Sequence, residues 1–150
     1  MNAGTKIAAV SAVLFGMALV HATLVTAQSP MPKPVLVYIV QEPFAAGGKQ
    51  WTRYRYQVAN AAAYPDQLFA ASPNLPPCGK NTKASRTWVD LFDKNGKRLN
   101  GFCAFGKHSD LNLLWFALEQ GVVPPSYVYI EMTDRQTNTK VKSNEADTTN

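Results

Sequence analysis

The chain has 150 residues, of which 46% are hydrophobic, and its formal net charge is +5. This length fits one domain that buries a substantial core, and little more. The basic excess is small and scattered along the sequence, so it indicates an ordinary solvated surface and no nucleic-acid partner.

Residues 1–27 are predicted to be an export signal rather than part of the fold. Lys6 and the α-amine form a positive start, and residues 7–20 form an apolar run. Val25 and Ala27 supply the small side chains that a signal peptidase requires at its cleavage site. We therefore expect a secreted or periplasmic protein.

Two alternatives exist for this segment. Cleavage could follow Ala22, or the apolar stretch could stay as an anchor, because its length approaches the roughly 20 residues of a membrane span. His21, Thr23 and Thr26 fall in its second half, and no charge flanks its far side, which disfavours the anchor. Membrane attachment is expected only if the signal is not cleaved.

Both cysteines, Cys78 and Cys103, lie after the signal. In an oxidising compartment the simplest interpretation is one disulfide, which closes a loop of about 26 residues and contributes roughly 3.5 kcal/mol to stability. A redox role would need a C-x-x-C pair or a setting that stabilises a thiolate, and the sequence shows neither. The bond is therefore predicted to be structural.

The mature chain begins with a proline-rich stretch and an apolar run. Pro30, Pro32 and Pro34 predict an extended linker over residues 28–34. The β-branched run at 35–40 is typical of a strand that is buried on both faces.

The next segment contains one clear strand and one irregular region. Residues 45–50 have the composition of a turn, and the strand predicted at 51–59 alternates regularly. Its faces carry Arg53, Arg55 and Gln57 on one side and Tyr54, Tyr56 and Val58 on the other. Residues 64–85 are predicted to be irregular, with a short strand at 67–70, because prolines exclude regular structure in the second half. Cys78 lies in this segment, which the disulfide would stabilise.

The pair Asn95-Gly96 is the clearest local signal in the chain. An Asn-Gly pair between two alternating runs predicts a hairpin with a type I′ turn, since both central residues of that turn need a positive φ. The flanking strands are expected at 86–93 and 97–105, and Cys103 would lie on the second.

The C-terminal third contains three further predicted strands. Residues 113–118 read as a strand, with a helix as the alternative. Residues 126–133 alternate after a Pro-Pro pair, and 139–143 form a polar strand after a turn. The tail at 144–150 is predicted to be frayed.

Seven or eight short strands without a strong helix predict an all-β, antiparallel sandwich over residues 35–143. The run at 118–130 resembles the corner between the fifth and sixth strands of immunoglobulin-like and fibronectin type III-like domains, where a Leu precedes the turn and a Tyr caps it. That Tyr would be Tyr127 or Tyr129. The resemblance implies a fold and no activity. Because Cys78 lies in a loop, the cysteine pair departs from the antibody bond between facing sheets.

No residue set in the sequence predicts catalysis, a metal or a cofactor. His108 is the only histidine after the signal, so an ordinary zinc site is not expected. The loop at 90–95 offers three oxygen ligands to calcium but lacks the others. Ser109 and Asp110 follow His108 directly, and neighbours on an extended chain point apart, which disfavours a catalytic triad. We therefore predict a protein that is not an enzyme.

Strand alternation instead predicts a binding surface. If the aliphatic residues face the core, these aromatic and basic side chains lie on the other faces of their strands: Arg53, Arg55, Trp88, Trp115, Tyr127 and Tyr129. Aromatic rings beside Arg donors suit a sugar ring or an anionic polymer, through stacking and bidentate hydrogen bonds. In the alternative, the tryptophans belong to the core and one tyrosine is the corner residue.

The sequence thus predicts an exported, non-enzymatic binding or structural module of the cell envelope or secretome, with a glycan or another polymer as its ligand. The alternative is a small secreted enzyme, or an inhibitor of one, that uses a loop without a recognisable motif.

Overall fold

A computed structural model describes residues 31–72, 74–75, 85–103 and 106–149. The predicted signal at 1–27 and the predicted partner Cys78 lie outside these residues, so export and the disulfide stay predictions. Within the described ranges, no helix is long and apolar enough to span a bilayer.

The described residues form an all-β structure of antiparallel strands. In chain order these are β1 Leu36–Ala46, β2 Lys49–Val58, β3 Thr87–Asp93, β4 Arg98–Phe102, β5 Leu114–Glu119, β6 Tyr127–Asp134, β7 Thr139–Lys142 and β8 Ala146–Asp147. One sheet has the order β1-β2-β5, and the other has the order β4-β3-β6-β7, with β8 also paired to β6. Three short 3₁₀ helices, Ala61–Ala63, Asp66–Leu68 and His108–Asn112, lie in the connections.

One hydrophobic core receives the inward faces of both sheets. The three-stranded sheet contributes Leu36, Tyr54, Tyr56, Val58, Leu114 and Phe116, and the five-stranded sheet contributes Val89, Leu91, Val128, Ile130 and Met132. The Phe116 ring stacks on Tyr54, with centroids 4.8 Å apart, and on Tyr56, with centroids 6.0 Å apart. Stacked rings of this size bury large apolar areas, so they form the centre of the three-stranded side of the core.

Period-two alternation correctly predicted the faces of β2 and β6. Tyr54, Tyr56 and Val58 are buried, while Arg53 and Arg55 are only half-buried. The strand prediction at 113–118 is confirmed over its helical alternative, because β5 pairs with β2 along its whole length.

The prediction that 35–40 is buried on both faces is wrong. Val35, Val37, Ile39 and Val40 are 44%, 37%, 43% and 39% exposed. β1 is the edge of its sheet, and nothing described covers the outer face of that sheet. Its ladder with β2 also shifts register between Tyr38 and Val40. An apolar run therefore indicated a strand here without indicating which faces are covered.

The hairpin at Asn95-Gly96 is confirmed, but the predicted turn type is wrong. Gly96 has a φ of 78°, whereas Asn95 does not have a positive φ. The Asp93 side chain accepts hydrogen bonds from the backbone N–H groups of Asn95 and Lys97, at 2.8 and 2.9 Å. This side chain stabilises a three-residue loop with glycine in the left-handed conformation, which replaces the two-residue type I′ turn.

Two further local predictions are corrected. The strand expected at 67–70 is a 3₁₀ helix, Asp66–Leu68, which is followed by an isolated bridge between Ala71 and Ser85. The tail expected to be frayed instead supplies β8, which pairs with Tyr127 and Val128. Segments this short carry little periodicity, so their conformation depends on partners distant in sequence.

Two asparagine side chains join the sheets where their edges meet. The Asn144 side chain accepts a hydrogen bond from the backbone N–H of Leu36 at 2.8 Å and donates one to its carbonyl at 3.0 Å. On the other side, the Asn100 amide donates to the carbonyl of Trp115 at 2.8 Å. At these two places, side-chain amides thus form hydrogen bonds with backbone groups of the edge strands β1 and β5.

The described end of the predicted linker packs on the domain. The Tyr64 hydroxyl donates to the carbonyl of Pro32 at 2.8 Å, and the Asn60 amide donates to that of Lys33 at 3.0 Å. The ordered domain therefore begins before β1.

Candidate functional site

The residues predicted to bind a ligand lie on two different surfaces. Arg53, Arg55 and Trp115 lie on the outer face of the three-stranded sheet, where Arg55 is directly opposite Trp115 in the β2–β5 ladder. Trp88, Tyr127 and Tyr129 lie on the outer face of the five-stranded sheet, on β3 and β6. The structure therefore brings together three of the predicted residues and separates the others.

Arg53 is held in a fixed position on the first of these surfaces. Its guanidinium lies 5.0 Å from the ring centroid of Phe44 and 5.9 Å from that of Trp115. Its Nη2 and Nε atoms contact the Glu42 carboxylate at 2.6 and 2.7 Å. Cation–π contacts and a charge-assisted bond of this kind restrict the side chain, so Arg53 supports the neighbouring indole.

Arg55 has a different environment. It forms no ion pair with any carboxylate in the described part of the chain. Together with Arg53, Leu113 and Trp115 it lines a shallow, open depression of about 300 Å³. We call this set, with Phe44, the Arg–Trp surface. It presents one uncompensated cation beside an aromatic ring and the 58% exposed Leu113.

The sequence did not indicate Phe44 or Leu113 as part of a site. The strand expected at 35–40 stops before Pro43, because proline cannot donate to a ladder. β1 is an edge strand, where proline is tolerated, and the strand continues through Phe44 to Ala46. The position of Phe44 could therefore be recognised only once the edge was known.

Aromatic and charged groups on the outer face of the five-stranded sheet contact one another. The guanidinium groups of Arg98 and Arg135 lie 5.4 and 5.9 Å from the centroid of the Trp88 ring. Tyr129 stacks on Phe92 at 5.3 Å, and the Lys142 ammonium lies 3.7 Å from its ring centroid.

Acidic groups on this second face are also paired. Asp90 contacts Arg98, and Glu131 contacts Lys140 at 2.8 Å. Asp134 pairs with Arg86 as well, and Asp93 accepts backbone hydrogen bonds in its own turn. The acidic side chains of the two central strands are thus already engaged, which makes this face the weaker candidate for a charged ligand.

The run His108-Ser109-Asp110 does not form a triad in the structure. His108 Nδ1 lies 2.7 Å from Asp66 Oδ1, and the His108 backbone N–H donates to the same atom at 2.9 Å. The backbone hydrogen bond from His108 is the main cause that lowers the pKa of Asp66, and the side-chain bond is the second. Asp110 instead accepts the backbone N–H of Gly106 at 2.7 Å. The contacts hold two 3₁₀ helices together.

The residues considered for calcium have other roles. Asp90 pairs with Arg98, and Asp93 accepts backbone hydrogen bonds in its own turn. In the ranges that the structure describes, no three His, Cys, Asp or Glu side chains cluster in a way that could hold a metal.

Comparisons with protein-family models, curated proteins and solved structures find no match for this chain.

Proposed function

We propose that this protein is an exported, non-enzymatic binding module that binds a glycan through the Arg–Trp surface. The observation that carries the proposal is the Trp115 indole, held by Arg53 and Phe44 beside Arg55 on an exposed sheet face. A sugar ring combines an apolar face, which stacks on an indole, with hydroxyl groups that accept hydrogen bonds from a guanidinium.

The shape of the surface supports a polymer rather than a small enclosed ligand. Small-molecule sites bury most of their ligand in a concave pocket, whereas this depression is shallow and lies on a sheet face. A few stacking contacts of about 0.5–1.5 kcal/mol each provide modest affinity, in the range of tens of micromolar to millimolar. Repeated units of a polymer would raise the effective affinity by multivalency.

We further propose an immunoglobulin-like sandwich, which the strand order supports. In the constant immunoglobulin arrangement, the first, second and fifth strands share one sheet, and the third, sixth and seventh share the other. Here β1, β2 and β5 form one sheet, and β3, β6 and β7 lie in the other. β4 pairs with β3 instead of β5, although Asn100 still contacts β5 through Trp115.

Export is supported by the composition of residues 1–27, and the mature N-terminus tests it. We expect the N-terminal peptide of secreted or periplasmic material, identified by mass spectrometry, to begin at Gln28, with Thr23 as the second choice. Recovery of intact Met1 in the membrane fraction would contradict cleavage.

Trp115→Ala is expected to abolish most glycan binding while the protein stays folded. Binding is measured as the slower migration of the protein in native gels that contain a polysaccharide. We expect at least one polysaccharide to slow the wild-type protein. Trp88→Ala is the matched control, since it removes a half-buried tryptophan from the other sheet. Denaturant unfolding of both variants verifies that they are folded under the conditions of the gel.

Unchanged retardation of Trp115→Ala would overturn the proposal, and so would either of two other results. In one, no polysaccharide retards the wild-type protein. In the other, Trp88→Ala and Trp115→Ala reduce retardation equally, which would indicate that the effect is unrelated to the Arg–Trp surface.

A further inference from the structure

The two basic side chains of the Arg–Trp surface differ in their pairing. Arg53 contacts Glu42 at 2.6 Å and packs against Phe44 and Trp115, so its charge is offset within the protein. Arg55 lies in the same depression and has no carboxylate partner among the described residues. The surface therefore carries one free guanidinium next to its stacking ring.

We propose that the ligand is an acidic polysaccharide and that Arg55 binds the carboxylate of a uronic acid unit while the adjoining ring stacks on Trp115. This inference rests on the proposed function and specifies its ligand. A guanidinium matches a carboxylate through two parallel N–H···O bonds, which a neutral hydroxyl cannot reproduce.

The register places the two groups at a suitable separation. Arg55 and Trp115 are directly opposite on neighbouring antiparallel strands, and the Cβ atoms of such pairs are about 4.5–5.5 Å apart. Both side chains also line the same depression. One sugar unit in that depression can therefore contact both of them.

The opposite face shows that this arrangement is local. Asp90 and Glu131 pair with Arg98 and Lys140 there. The Lys142 ammonium has no carboxylate partner among the described residues and lies over the Tyr129 ring, but an ammonium cannot form the two parallel bonds that the Arg55 guanidinium offers to a carboxylate. The preference for an anion is therefore assigned to the Arg–Trp surface and not to the net charge of +5 spread over the chain.

An acidic glycan suits this surface better than an acidic peptide. Extended peptides add to the edge of a sheet, and the sheet has two edge strands, β1 and β5. At the β5 edge the Trp115 carbonyl already accepts a hydrogen bond from Asn100, and β1 contains Pro43 and a register shift after Tyr38. Both features oppose the addition of another strand. The Arg–Trp surface lies on the face of β2 and β5 instead, where a stacking ring has access.

The test compares polygalacturonate with its fully methyl-esterified form, which has the same backbone without the charge. The wild-type protein should bind polygalacturonate about tenfold more tightly. The Arg55→Gln variant should bind the two polymers with equal affinity. That affinity should match the affinity of the wild type for the methyl ester. The matched control Arg98→Gln removes the same charge from the other face and should change either affinity less than twofold.

Three results would overturn the inference. Equal wild-type binding to both polymers would show that the carboxylate is not recognised. Equal losses in Arg55→Gln and Arg98→Gln would indicate general attraction to polyanions. Displacement by poly-L-glutamate that depends on Arg55 would assign the site to an acidic peptide. The proposed function fails separately, if Trp115→Ala leaves the binding of every polysaccharide unchanged.

Discussion

Replacing Phe116 with alanine is expected to lower the free energy of unfolding by about 3–5 kcal/mol. The Phe116 side chain is 1% exposed and stacks on both Tyr54 and Tyr56. Its removal would leave a cavity between two large rings that cannot close without moving β2. Urea unfolding followed by tryptophan fluorescence measures the change.

Phe92→Ala is the matched control for this prediction. Phe92 is half-buried on the outer face of the five-stranded sheet, where it stacks on Tyr129 at 5.3 Å. Removing the Phe92 ring should lower the free energy of unfolding by only about 1 kcal/mol, because a half-buried ring removes less apolar area from water. Similar losses for the two variants would contradict the placement of Phe116 in the core.

Replacing Asp134 with asparagine is expected to lower the free energy of unfolding by about 3 kcal/mol at neutral pH. Asp134 is 4% exposed, and both of its carboxylate oxygens contact the Arg86 guanidinium, one of them at 2.7 Å from Nε. It also accepts hydrogen bonds from the Gln136 backbone and the Thr137 hydroxyl, at 3.0 and 2.9 Å. The variant leaves the mostly buried Arg86 without its counter-charge.

The same contacts predict a loss of stability in acid. The hydrogen bond from Arg86 is the main cause that lowers the pKa of Asp134 to about 2. Because this pKa is below the unfolded value, the stabilisation is complete above pH 5 and disappears as the pH falls towards 2. The stabilisation that is lost between these pH values is about 2 kcal/mol. Urea midpoints between pH 7 and 2 should therefore fall less steeply for Asp134→Asn than for the wild type.

Asp66→Asn provides the control for the acid effect. Asp66 is exposed, and solvent screens its bond to His108, so the variant should retain nearly the wild-type stability at neutral pH. An acid profile of Asp134→Asn that is parallel to that of the wild type would contradict the assignment of the stabilisation to the Arg86–Asp134 pair.

The sequence predicted those elements whose faces differ in polarity. Alternation in β2 and β6 indicated which side chains are buried, because one face of each strand meets the core and the other does not. The run at 35–40 carries no such contrast. Whether it is central or at an edge depends on the order of strands in the sheet, which local sequence does not contain.

The Arg–Trp surface was predictable only in part for the same reason. Alternation placed Arg53, Arg55 and Trp115 on the outer faces of their strands, but it could not reveal that Trp88 belongs to the other sheet. The place of Phe44 in β1 could not be predicted, because Pro43 precedes it and proline is tolerated in an edge strand but not in a central one. A site that forms across strands needs the topology as well as the pattern of each strand.

The hydrogen bonds between Asn144 and Leu36 join residues that are 108 positions apart in sequence. A chain that emerges from its N-terminus therefore produces β1 long before the side chain that closes its corner. Contacts of such separation form slowly, because a large loop must first be closed. The domain can therefore complete its fold only after almost all of the chain has been synthesised and released.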